Sequence, residues 1–115
     1  MPRPPRLHPA KGRRHTHGSM NRLESAYAHH LEGLRLAGDV LVWHFEPVKL
    51  RLAKATFYTS DFLVQVADGT VEFHEAKGHW EDDARVKIKV VAAQYPLFRF
   101  VAVQRTKAGW VFEEF

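Results

Sequence analysis

Leu23, Tyr27, His30, Leu31 and Leu34 recur at the spacing of one helix face, with polar residues between them. They predict a helix from about Ser19 or Asn21 to Ala37. Asn21 followed three residues later by Glu24 has the pattern of a capping box, and Gly38 stops the helix. The period then shifts towards two. Residues 40–46 read as a strand broken by Pro47. Val48, Leu50 and Leu52 alternate with Lys49 and Arg51, so residues 48–53 read as a half-exposed strand. Residues 57–67 and 70–77 read as a hairpin turning at Asp68-Gly69. Ala84, Ile88, Val91, Ala92 and Tyr95 return to helical spacing behind the acidic start Glu81-Asp82-Asp83, and that helix must end before Pro96. Residues 98–104 and 109–115 complete the pattern as strands. The expected order is α-β-β-β-β-α-β-β without internal repeat, an α/β fold with a mixed β-sheet flanked by helices.

The predicted hairpin also carries chemistry. Asp61 heads its first strand, and Glu75 and Lys77 sit two residues apart on its second. Alternation puts Glu75 and Lys77 on one face, and the turn brings Asp61 beside Glu75. Two carboxylates and an ammonium are costly in a core but suit a divalent ion and a water. Mg2+ or Mn2+ prefers oxygen ligands and keeps several waters. Asp61, Glu75 and the carbonyl of Ala76 are the expected ligands, with Lys77 orienting or deprotonating a water. Glu24, at the margin of the first helix's apolar stripe, is a third acid that could join them as well as cap the helix.

Charge distribution adds a second theme. Residues 1–22 hold Arg3, Arg6, Lys11, Arg13, Arg14 and Arg22 and no acid, whereas the remainder holds eleven Lys or Arg against thirteen Asp or Glu. Residues 1–20 therefore read as a basic tail, disordered in isolation, and residues 21–115 as the folded domain. Arg13 and Arg14 in such a tail are candidates for phosphate contact. There is no cysteine, so disulfide and thiolate chemistry are excluded, which fits a reducing cytoplasm. No apolar run approaches membrane-spanning length.

The eight histidines lack the paired spacing of a structural zinc site. His74 must face away from Glu75. His79, just past Lys77 and Gly78, is placed to reach a phosphate. Trp43, Trp80 and Trp110 read as packing aromatics.

Asp61 followed by Glu75-Ala76-Lys77, with Glu24 on an early helix, resembles the signature of the PD-(D/E)xK nuclease superfamily, in particular its small phage-type endonuclease and resolvase-like members. The resemblance runs from about Asn21 through Gln104, and Ser60 stands where proline usually precedes the aspartate. It implies a restriction-endonuclease-like core and Mg2+-dependent hydrolysis of DNA, with Glu24, Asp61, Glu75 and Lys77 as catalytic residues. It also implies that Lys87 and Gln94, on one flank of the second helix, lie near the scissile phosphate, and places the protein in phage DNA recombination or repair. Cutting both strands would call for a homodimer or two binding events. Two rivals remain: a non-catalytic nucleic-acid-binding module of the same fold, and an interaction subunit pairing through an exposed apolar strand at 98–103.

Overall fold

The computed structural model describes residues 19–115. The basic tail, with Arg13 and Arg14, lies outside the described residues apart from its last two positions. The element order is α1 (Arg22–Ala37), β1 (Val40–Phe45), β2 (Leu50–Ala53), β3 (Thr56–Tyr58), β4 (Phe62–Val66), β5 (Val71–Lys77), α2 (Asp82–Gln94), β6 (Arg99–Thr106) and β7 (Gly109–Glu114). Five strands form a mixed sheet in the order β1-β4-β5-β6-β7, and β2 and β3 form a separate two-stranded ribbon. Only β5 and β6 run parallel, joined across α2 as a β-α-β unit.

The start of α1 follows its sequence pattern closely. The Asn21 side chain accepts from the Glu24 N–H at 2.7 Å, and Glu24 Oε1 accepts from the Asn21 N–H at 2.9 Å. At the other end Gly38 takes a left-handed φ of 90°, and its N–H bonds back to the last turn.

The sheet is packed on both faces. On one face Tyr27 and Leu31 of α1 pack on Val64, Val101 and Val103, with Phe62 ringed by Tyr27, Trp43 and Phe45. On the other, Ile88 and Val91 of α2 pack on Phe73, Phe100 and Ala102, joined by Tyr58 from the ribbon. Each fully buried Phe or Leu contributes about 1.5–3 kcal/mol through removal from water. β5 divides its side chains between the layers: His74 faces α1 and touches Tyr27, while Phe73 joins the α2 layer.

Two expectations are corrected. Residues 57–67 are not one strand. The chain changes layer over residues 59–61: Tyr58 is held by the α2 cluster and Phe62 by the α1 cluster. The Ser60 hydroxyl, donating to the His74 carbonyl at 2.8 Å, holds the crossing in place. The preceding turn at Lys54 and Ala55 carries no Gly or Pro, so no punctuation marks it, and Ala55 adopts the positive φ itself, at 56°. The result is one strand more than expected. The second correction concerns 98–103. β6 lies between β5 and β7, and its residues 100–103 are buried, so this segment has no exposed edge with which to pair another subunit.

Candidate metal centre

The start of α1 and the ends of β1, β4 and β5 bring together acids far apart in sequence. Glu24 sits in the first turn of α1. Glu46 directly follows β1 and Asp61 directly precedes β4. Because β1 and β4 are antiparallel, these two positions are neighbours, and the Glu46 N–H donates to the Asp61 carbonyl at 2.8 Å. Carboxylate oxygens of Glu24, Glu46 and Asp61 all lie within 4.8 Å of one another. Glu24 and Glu46 are only 5% and 8% exposed.

Glu46 was not among the residues that the sequence pattern singles out. Its φ of 47° places a non-glycine residue in the left-handed region, which costs of order ~1 kcal/mol or more and persists only where surroundings hold it. Asp61's partner strand decides its importance, and no local pattern names that strand. The nearest signal is the strand-breaking Pro47 beside it.

Asp61 is the electrostatic centre of the group. Burial pushes its carboxyl well above the usual aspartate range, and the negative charges of Glu75 and then Glu24 push it further. The Ala76 N–H, donating to Asp61 Oδ2 at 2.9 Å, and the Lys77 ammonium act in the opposite direction without cancelling the rise. The site thus crowds negative charge around a partly buried carboxylate.

Glu75 and Lys77 share a face, as alternation requires, with Lys77 Nζ 3.6 Å from Glu75 Oε2. The Tyr58 hydroxyl donates to Glu75 Oε1. Burial and the adjacent Glu75 carboxylate raise the Tyr58 phenol far above its ordinary value, which keeps it a neutral donor. Glu75 is therefore anchored from both sides, and Tyr58 is a site contact that the sequence reading did not include. Glu24 caps α1 through Oε1, as its spacing from Asn21 predicts, and also stands in the acid group with Glu46 and Asp61; a carboxylate offers two oxygens with about four lone-pair positions, so the two are compatible.

Of the remaining expected residues, His79, Lys87 and Gln94 lie on the surface, whereas Ala76 is buried. His79 is exposed, 3.9 Å from Glu81. Lys87 is exposed on α2. Gln94 directs its amide to the Leu52 carbonyl at 2.9 Å and so ties α2 to the ribbon.

The α1 face of β5 carries a second polar group. Tyr27 Oη lies 2.6 Å from His74 Nδ1, His74 Nε2 lies 2.7 Å from Glu72 Oε1, and Arg99 reaches Glu72 Oε2 at 3.2 Å. Tyr27, His74 and Glu72 border a cavity of about 390 Å³ whose walls include Leu31, Leu34, Val64 and Phe112 and none of the metal-centre acids.

Compared with family models, curated proteins and solved structures, the chain matches none. No helix among the described residues is long and apolar enough to cross a membrane.

Proposed function

We propose that the protein is a Mg2+- or Mn2+-dependent DNA endonuclease of the PD-(D/E)xK kind, built on a restriction-endonuclease-like core. The carrying observation is the meeting of the Glu24, Glu46 and Asp61 carboxylates within 4.8 Å, beside Glu75 and Lys77. An all-oxygen donor set of three carboxylates suits these hard cations. In this reading Asp61, Glu24 and Glu46 hold the ion, and Glu75 and the Ala76 carbonyl complete the ligand set.

A bound ion supplies a Lewis acid that offsets charge developing on the phosphate. The chain's own residues set the geometry. Lys77 donates to the attacking water and holds it in line, and Glu75 fixes the ammonium in place. Tyr58 keeps the Glu75 carboxylate aimed. With the site at the ends of strands, a polymer can lie across it. A four-way junction or another DNA structure is the favoured substrate class. Cutting both strands needs two such sites, hence a homodimer or two binding events.

The test is cleavage of supercoiled plasmid, linear duplex and a four-way junction with Mg2+ or Mn2+. Glu75→Ala should lower the rate by about 10³-fold, the several kcal/mol expected from loss of a ligand at a Lewis-acid site. Absence of cleavage of every substrate by the parent protein would remove the enzyme reading.

A further inference from the structure

The β2–β3 ribbon stands outside the main sheet, and its two faces differ sharply. Leu50, Leu52 and Tyr58 turn inward onto the α2 cluster. Lys49, Arg51 and Phe57 are exposed, as is Lys54 at the turn. Arg51 lies directly across from Phe57 in the ladder, and Lys49 Nζ sits 5.5 Å from the centre of the Phe57 ring. Residues 47–60 include these three cations and no acid. Among the described residues, Lys49, Arg51 and Lys54 form no ion pair. The folded domain as a whole is slightly acidic, so this acid-free stretch is a local reversal of sign.

The ribbon is also fixed in place. Gln94 donates to the Leu52 carbonyl at 2.9 Å, and the Tyr95 hydroxyl donates to the Arg51 carbonyl at 2.6 Å. Its last residue, Tyr58, bonds Glu75 of the metal centre. The basic face is thus tethered to α2 at one end of its length and to the candidate catalytic carboxylate at the other.

We propose that the β2–β3 ribbon grips double-stranded DNA, with Lys49, Arg51 and Lys54 on the phosphates beside the bond to be cut. This rests on the nuclease reading above. Two strands about 4.8 Å apart fit a B-form major groove about 12 Å wide. Four residues of β2 span about 13 Å, or about four base pairs at ~3.4 Å each. Phe57 supplies an apolar surface between the cations. A-form RNA, whose major groove is deep and narrow, does not admit such a ribbon. Because Tyr58 belongs to the same ribbon, the grip sets the register between duplex and metal centre.

The test separates binding from cleavage. Fluorescence anisotropy of a labelled 30-base-pair (~100 Å) duplex is measured in EDTA for the parent chain, for Lys49→Ala/Arg51→Ala/Lys54→Ala, and for a charge-matched control, Arg35→Ala/Arg105→Ala/Lys107→Ala. The ribbon variant should bind at least ~10-fold more weakly, and its slope of log Kd against log salt should fall by about 2.7, at ~0.9 per lost phosphate contact. The control should stay within about threefold of the parent, and duplex RNA should bind more weakly than duplex DNA. All substituted side chains are exposed, so circular dichroism and Tm should match the parent. Unchanged DNA affinity in the ribbon variant, equal loss in the control, or no duplex binding by the parent would each overturn the proposal. Ribbon-dependent binding without cleavage in Mg2+ or Mn2+ would leave the grip standing and remove the nuclease reading instead.

Discussion

Strand β5 holds two acid-bearing groups, and they are built on opposite principles. Glu72 is met by His74 at 2.7 Å and by Arg99 at 3.2 Å, and its carboxyl is held below the usual glutamate range. The hydrogen bond from His74 is the main cause, with electrostatic attraction from His74 and Arg99 adding to it against the cost of burial. Three residues on, Glu75 adjoins a centre where Asp61 is driven the other way by burial and by two further acids. One group is neutralised within the chain and behaves as a structural tie. The other sets a buried carboxyl among further acids, so that the charged form of Asp61 is disfavoured, an arrangement that costs stability and is expected where a cation completes the site. The difference separates a polar network that holds the fold from one that we propose to hold a cation.

Perturbing each group should therefore affect different observables. Lys77→Met should lower kcat by about 10²-fold, the loss expected when the reacting water is no longer held in line, while Tm barely moves because Lys77 is 43% exposed. A large fall in Tm with activity retained would reverse the roles drawn here.

Glu72→Gln should do the opposite, costing about 1–3 kcal/mol by weakening a buried charge-assisted contact and leaving cleavage unchanged. Its pH dependence has a definite sign. A carboxyl whose folded pKa is depressed stabilises the fold above its unfolded pKa and loses that contribution as pH falls through the folded value. The Tm gap between parent and Glu72→Gln should thus be full at neutral pH and shrink on acidification below about pH 4. A gap that widens in acid would show that Glu72 is not held by its partners.

Tyr58→Phe gives the smallest effect. It removes one donor to Glu75, and a loss of about 1 kcal/mol corresponds to roughly fivefold to tenfold in rate. The effect should appear in kcat rather than in KM, since Tyr58 positions Glu75 instead of touching substrate.

Much of this was legible in the sequence where local rules act alone. The Asn21 and Glu24 capping box, the α2 stripe of Ile88 and Val91, and the shared face of Glu75 and Lys77 all follow from periodicity. What escaped was decided by distant packing. The break at residues 59–61 arises because Tyr58 and Phe62 are claimed by different core layers, although both suit a single strand. Glu46 enters the site only through pairing of β1 with β4, which no spacing in the chain specifies. The ribbon, with its basic outer face, appears only once that break is known.

The central claim is that the Asp61 cluster is a cation site whose crowded charge destabilises the metal-free protein. Thermal unfolding of the parent and of Asp61→Asn, each with and without millimolar Mg2+ or Mn2+, tests it most directly. Asparagine can still accept from the Ala76 N–H, so the substitution chiefly removes charge. The expected result is a metal-free Asp61→Asn protein more stable than the parent by about 1 kcal/mol, in the range of mutational effects from relieving buried charge. The parent's Tm should rise with metal and the variant's should not. A parent Tm indifferent to both ions, or a metal-dependent rise that survives in Asp61→Asn, would contradict the account.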